Sequence, residues 1–175
     1  MAWVTPRTWT TGDVVTAAFL NQDLRDNPLF LYTPPMCRPY DTNATISIAT
    51  SGTIQAVTYN DERFDTDTMH NTAANTSRIT FTTAGKYMVG GCVQWASGAT
   101  GVREVSIRSG GSVEIVQDDR INLAASAFHH HVNTIYHFSA ADYAEFMCRQ
   151  TQGTALNIVL VANISNEAWA FWIGN

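Results

Sequence analysis

From Met36 onward the sequence is a succession of short strand-like runs. Alternating or apolar segments recur about every ten residues, with Gly, Asn, Asp or Ser between them. They predict strands near residues 44–50, 53–60, 78–83, 85–96, 102–108, 112–117, 128–138, 143–150, 155–163 and 168–173, and a loop over 61–77. Because no helical pattern alternates with these runs, a parallel α/β fold is excluded. About ten antiparallel strands indicate an all-β sandwich or jelly roll.

The first 35 residues have a different pattern. Thr16 is a good N-cap, Leu20 and Leu24 share a helix face, and Pro28 is expected to end the helix. We therefore predict two units, an arm over 1–35 with one short helix and a head over 36–175. The arm either packs on its own head or docks elsewhere. In the second case its apolar residues are the anchoring groups: Trp3, Trp9, Val14, Leu20, Leu24 and Phe30.

Composition narrows the possible partners. Charged residues make up only 14% of the chain, which suits a surface that is covered in an oligomer. The ten basic residues are scattered and the net charge is −5, so we expect no nucleic-acid partner. No apolar stretch approaches the ~20 residues of a membrane span, and no signal peptide is recognisable, so we expect a protein that folds in the cytosol.

Cys92 and Cys148 are predicted to be buried free thiols.

Three segments of the head resemble a known family. ITFTTAGKYMVGGCVQW (79–95) is similar to the strand–Ala-Gly-x-Tyr–strand signature of complement-type and tumour-necrosis-factor-like jelly rolls. AADYAEFMCRQ (140–150) resembles a later strand of that family, with Ala141-Asp142 where Gly-Asp is usual, and AWAFWIGN (168–175) resembles its aromatic-rich last strand. The resemblance covers roughly residues 40–175 and implies an antiparallel jelly-roll sandwich that forms homotrimers.

The arm resembles a leader segment of bacteriophage virion proteins. WTTGDVVTAAFLNQDLRDN (9–27) contains the Trp, Thr-Gly, Val-Thr-Ala and Leu-Arg-Asp-Asn elements of that segment in the same order. The two resemblances together imply a phage surface protein with a trimeric head.

The stretch AFHHHVNTIYHF (127–138) holds four of the five histidines of the chain. Side chains of a strand alternate between its two faces, so His130, with its mostly apolar even-numbered neighbours, is expected to face the core. His129 and His131 form a His-x-His pair like that of cupin metal sites, but no carboxylate follows at the cupin spacing. We therefore predict no metal site within one chain.

A trimer changes the expectation for the odd-numbered face. In the family that the head resembles, this strand belongs to the sheet that faces the threefold axis. We therefore predict a trimer interface formed by His129, His131, Asn133, Ile135 and His137. Three-histidine rings at the axis could hold an ion, and in mildly acidic solution they would load the axis with like charge and weaken the trimer.

Other candidate chemistry is weaker. FDTDTMHN (64–71) could begin a calcium site, but it lacks the glycine and the distal glutamate of an EF-hand, and local turn capping by Asp and Asn is the preferred explanation. No nucleophile motif is present, and Gly90-Gly91 indicates either a bulge or close packing within a strand rather than a phosphate loop. Five aromatic residues of the head either stack on a sugar or fill the core; they are Trp95, Tyr143, Trp169, Phe171 and Trp172.

These observations predict a non-enzymatic virion protein without a cofactor. The preferred interpretation is a trimeric capsid decoration protein, made in the host cytoplasm, displayed on the virion surface and bound through its arm to the major capsid protein or another virion protein. The alternative is a tail or fibre head that binds a host-surface glycan or protein. A histidine-dependent metal enzyme is the remote alternative.

Overall fold

The computed structural model describes residues 3–43, 45–49, 52–123, 126–161 and 165–175. Its strands are β1 (Met36–Tyr40), β2 (Thr45–Ile48), β3 (Gln55–Ala56), β4 (Asp61–Asp65), β5 (Arg78–Thr80), β6 (Gly85–Trp95), β7 (Gly101–Ser109), β8 (Val113–Asn122), β9 (Phe128–Phe138), β10 (Tyr143–Gln150), β11 (Leu156–Val159) and β12 (Glu167–Gly174). The predicted strand ends at 44, 50 and 162–163 lie outside the described residues.

The described strands form two antiparallel sheets. The seven-stranded sheet has the order β2-β11-β6-β12-β1-β4, and β9 pairs along the whole length of β6. The five-stranded sheet has the order β3-β10-β7-β8, and β5 also pairs with β10. One buried cluster draws side chains from both sheets. The predicted all-β jelly-roll sandwich is therefore confirmed.

Two strands, β1 and β4, are absent from the sequence-based prediction. β1 contains Pro39, a residue that usually argues against a sheet interior, and its pairing with β4 shifts register between Cys37 and Pro39. β4 lies within the predicted loop because its sequence, DERFD, is mostly charged. Such a sequence is tolerated because β4 is an edge strand that pairs only with β1 among the described strands.

The core contains the side chains that were predicted to face inward from the alternation along the strands. Phe81 stacks on Phe138 with ring centroids 3.8 Å apart, and Tyr87 packs against both rings. Trp95 is fully buried. The thiols of Cys37 and Cys148 are buried and free, which raises their pKa well above the ordinary range.

The arm contains one distorted helix. It consists of α1 (Ala17–Leu20), a π-helical turn over Asn21–Asp26 and α2 (Asn27–Tyr32). Thr16 caps α1 as predicted, since its Oγ1 accepts a hydrogen bond from Phe19 N at 3.3 Å. The expectation that Pro28 ends the helix is wrong. Pro28 lies in the first turn of α2, a position that tolerates its missing N–H, just after the π-helical turn.

No helix in the described part of the chain is both long enough and apolar enough to cross a bilayer.

Candidate interface on the seven-stranded sheet

The histidine strand β9 divides its side chains as predicted. His130 is fully buried, whereas His129, His131 and His137 are exposed. Ile135 is 60% exposed on β9, which pairs only with β6 among the described strands. The facing of these residues is therefore confirmed, apart from Tyr136, which is more exposed than its core-side neighbours. Their role in a trimer interface stays a prediction.

His130 reaches across to the five-stranded sheet. Its Nε2 lies 2.8 Å from Oδ2 of Asp118 on β8, and Arg120 pairs with the same carboxylate at 2.9 Å. The Nδ1 atom of His130 is buried without a hydrogen-bond partner in the described part of the chain. Burial lowers the pKa of His130, and the bond to Asp118 opposes that shift only in part. His130 is therefore a neutral structural histidine at neutral pH.

The exposed histidines do not converge with other ligand-type side chains. Across the described ranges, no group of three or more His, Cys, Asp or Glu side chains is placed to hold a metal ion. His129 and His131 instead line an open cavity on the outward face of the seven-stranded sheet. His137 lies opposite Lys86 of β6.

The cavity has a volume of about 630 Å³ and is mainly apolar. It lies over β6, β12, β1 and β4, and its lining includes Phe64, Met88, Cys92, Trp169 and Phe171. Gly90 explains its shape, because a Cβ at that position would lie 2.3 Å from Cζ2 of Trp169. The absence of a side chain lets the indole of Trp169 lie across β6. This agrees with the close packing predicted for Gly90-Gly91.

We call the outward surface of this sheet the apolar face. It is defined by Phe64, Met88, Ile135, Trp169, Phe171 and Ile173, of which all but the half-buried Trp169 are at least 40% exposed. Of this set, only Ile135 was predicted from the sequence to lie at an interface. The aromatic residues that it grouped together are divided by the structure, since Trp95 and Trp172 are buried whereas Phe171 is exposed.

An ion-pair cluster borders the cavity. The carboxylate of Glu167, which is 8% exposed, accepts hydrogen bonds from Arg38 Nε at 3.1 Å and from Arg63 Nε at 3.0 Å. The bond to Glu167 raises the pKa of Arg38. Burial, and then the nearby Glu167, raise the pKa of the Cys92 thiol to about 11. Cys92 is therefore protonated and is not an activated nucleophile.

The arm packs on its own head through one residue that we predicted to be exposed. Phe30 is only 2% exposed, with its ring centroid 4.8 Å from that of Trp172 and 6.2 Å from that of Trp3. The expectation that Phe30 anchors the arm to another protein from an exposed position is wrong, and Trp3 is also partly covered. Burial against the aromatic end of β12 stabilises this position.

The other predicted anchoring residues do face outward. Their exposed fractions are 42% for Trp9, 74% for Val14, 44% for Leu20 and 71% for Leu24. Tyr32 of the arm is also exposed, at 85%, although it was not among the predicted anchoring residues. The arm folds on itself here, because Arg7 pairs with Asp23 at 2.8 Å.

The two aspartates of the 64–71 segment have different contacts. Asp65 accepts hydrogen bonds from the backbone N–H groups of Asp67 and His70, at 3.0 and 2.9 Å, and is therefore a local cap, as the capping interpretation expects. The carboxylate of Asp67 accepts from the hydroxyls of Thr82 and Thr83 and so joins the segment to a distant part of the chain.

Comparisons with known proteins show the fold. No protein-family model matches the chain, and no curated protein matches its sequence. Among solved structures, the globular domain of zebrafish complement 1qA protein is similar with a TM-score of 0.55 and 12% identity, covering 81% of this chain and 99% of that one. Murine APRIL at pH 5.0 gives 0.55 and 10%, covering 78% and 97%. Eiger TNF from S. frugiperda gives 0.53 and 9%, covering 81% and 95%. The head therefore has the complement 1q/tumour-necrosis-factor-like jelly-roll fold.

Proposed function

We propose that the chain is a non-enzymatic structural protein that assembles as a homotrimer through its apolar face. The observation that carries this proposal is the cluster of exposed Met88, Ile135 and Phe171 around an open apolar cavity. Contiguous exposed apolar surface of this kind is typical of protein–protein interfaces. The jelly-roll fold supports a trimer, because the family that the head resembles forms homotrimers.

A charged substitution on the apolar face tests this assembly. We expect wild-type protein to have the mass of three subunits by light scattering, and Ile135→Lys to shift toward one subunit because three ammonium groups would be buried together. Val113→Lys on β8, where the valine is 55% exposed, is the matched control and should stay trimeric. A monomeric wild type, or a trimeric Ile135→Lys variant, would contradict the proposal.

The histidines of β9 make the proposed interface sensitive to acid. His129 and His131 line the cavity together with Arg38 and Glu167, and His137 lies opposite Lys86. Two of the fixed charges are positive, so protonated histidines would add like charge to a covered surface. We expect the fraction of trimer to fall in a sedimentation series from pH 8 to pH 5. An unchanged trimer would leave the apolar face as interface but remove the histidines from it.

We further propose that the arm attaches the trimer to a bacteriophage capsid as a decoration protein. The exposed apolar residues of the arm support an attachment role, and the resemblance of residues 9–27 to a phage leader supports a virion. Three arms on one trimer would bind with avidity. In this proposal the protein is made in the host cytoplasm, is displayed on the virion surface and contacts the major capsid protein or another virion protein.

Substitutions on the arm test the attachment without uncovering Trp172. Leu24→Lys places a charge on an exposed position, so the trimer should fold normally but fail to co-sediment with virus particles that lack the protein. Thr8→Lys, at another exposed arm position, is the control. Normal co-sedimentation of Leu24→Lys would contradict attachment through this surface.

The number of copies per particle separates the two placements on the virion. Hundreds of copies per particle are expected for a decoration protein, whereas a few or tens would favour the alternative of a receptor-binding tail or fibre head.

A further inference from the structure

A second cavity, of about 170 Å³, opens beside β5 at the edge of the five-stranded sheet. Its lining includes Thr68, Met69, Asn71, Asn75, Arg78 and Thr80. The volume is well below the roughly 300 Å³ at which pockets for drug-sized ligands begin. The cavity therefore has room for one small ligand.

The loop that forms this cavity is held in place by a buried histidine. His70 is 5% exposed, and its Nδ1 and Nε2 atoms lie 2.9 Å from Glu62 Oε1 and 3.1 Å from the carbonyl oxygen of Thr76. The backbone of Thr80 also donates to the carbonyl of Met69 at 2.7 Å. Each ring nitrogen of His70 thus lies beside an acceptor oxygen, and the Thr80–Met69 bond fixes the loop before any ligand arrives.

Two lining residues have an unusual backbone conformation. Thr68 and Asn75 have positive φ angles of 54° and 52°. Non-glycine residues adopt this region at a cost, and such residues concentrate at ligand sites and other places where the surrounding structure holds them. Here the two line the same small cavity from opposite parts of the loop.

The cavity offers hydrogen-bond donors with almost no net charge. Arg78 is fixed by packing over the ring of Tyr143, 4.0 Å from its centroid, and by an Nε contact of 3.4 Å with Glu145. Its Nη groups, like the hydroxyls of Thr68 and Thr80, have no hydrogen-bond partner in the described part of the chain. No carboxylate lines the cavity, and Glu145 balances the charge of Arg78 from just outside it.

We propose that this cavity binds a single residue of a neutral sugar. The guanidinium fork, the two threonine hydroxyls, the amide of Asn75 and the Nδ2 group of Asn71 match the hydroxyl groups of one pyranose ring. Oδ1 of Asn71 already accepts hydrogen bonds from the backbone N–H groups of Ala73 and Ala74. An acidic sugar is disfavoured because Glu145 already neutralises the guanidinium of Arg78. This binding site is independent of the trimer proposed above.

The probes are methyl hexopyranosides added to the full-length protein, with binding followed by saturation-transfer-difference NMR. We expect transfer to at least one neutral glycoside, with a millimolar Kd. Three variants should reduce transfer at least fivefold: Thr80→Val, which removes a hydroxyl at constant volume; Asn75→Gly, which keeps the positive φ and removes the amide; and Ala74→Phe, which fills the cavity from an exposed position. Thr8→Val on the arm is the control and should bind as wild type does.

The outcomes separate the possibilities. Binding that is lost in the three variants and kept in the control supports the proposal. Binding that persists in Ala74→Phe places the sugar elsewhere and overturns it, even if the other two variants unfold. Transfer only to a hexuronic acid glycoside would overturn the assignment to a neutral ligand, and no transfer to any neutral hexopyranoside would overturn the site itself.

Discussion

The two sheets of this head present very different surfaces to their surroundings. The outward face of the five-stranded sheet carries neighbouring ion pairs, in which acidic and basic groups already neutralise each other: Glu104–Arg149, Arg108–Glu114 and Arg78–Glu145. The apolar face of the seven-stranded sheet leaves Met88, Ile135 and Phe171 in the open. The five-stranded sheet neutralises these charges within one subunit, whereas the apolar face gains stability when something covers it.

The largest expected loss of stability comes from adding a methyl group on the core side of β6, and the same change on the outward side of β6 should cost less. In Gly91→Ala, the new Cβ would lie 2.2 Å from the ring of Phe146 in the closed core, and we expect a loss of about 3 kcal/mol in the free energy of unfolding. In Gly90→Ala, the Cβ meets Trp169, which is only half-buried and can swing outward, so we expect a loss of about 1 kcal/mol.

Urea denaturation at one fixed protein concentration measures both variants, because assembly also contributes to stability. Equal losses for Gly90→Ala and Gly91→Ala would mean that the apolar face is packed as tightly as the core. Light scattering on Gly90→Ala adds a second readout, since a displaced Trp169 should weaken the proposed trimer.

A smaller effect compares the ion pairs of the two faces. Glu167→Gln leaves two arginines without their carboxylate at a buried position, and hydrogen bonds to charged groups contribute roughly 1.5–3 kcal/mol. Glu114→Gln removes the partner of Arg108 across 3.6 Å on the five-stranded sheet, where exposed pairs contribute roughly 0–1 kcal/mol. Unfolding midpoints should therefore fall clearly only in Glu167→Gln. A loss in Glu114→Gln as large as that in Glu167→Gln would show that the outer pairs are also essential.

The smallest effect concerns pH and the histidine that joins the two sheets. Burial lowers the pKa of His130 in the folded protein, so the unfolded chain binds a proton more readily. The stability contributed by neutral His130 is therefore complete above the unfolded pKa of ~6.5 and is lost as pH falls below it, by at most about 1.4 kcal/mol per pH unit. The lowered pKa of Asp118 acts in the same direction only below its own unfolded value of 3.8.

Unfolding measurements between pH 7.5 and pH 5.5 test this linkage. The free energy of unfolding should fall toward acid in wild type, and this slope should be reduced in His130→Gln. Val113→Gln, at an exposed position of β8 outside the apolar face, should keep the wild-type slope. A slope that survives in His130→Gln would assign the acid sensitivity to other groups.

The sequence predicted part of the candidate interface and missed the rest for a definite reason. The alternation along β9 was sufficient to place Ile135 and the three exposed histidines on the outward side. Met88, Phe171 and Phe64 belong to three other strands, and no local pattern states that β6, β12 and β4 share a sheet with β9. Strand order depends on contacts between distant segments, which a period of two residues does not encode.

By itself, the sequence determined the all-β class, most of the strands, the Thr16 cap and the side of β9 that enters the core. These features depend on local spacing and on short-range hydrogen bonds, so each can be predicted from a single short segment of the sequence. Only the tertiary structure decided that Pro28 continues a helix, that Phe30 is covered by Trp172, that MCRPY and DERFD pair as strands and that Trp169 lies over Gly90. Each of these depends on burial against a segment far away in the chain, and such burial overrides local preference.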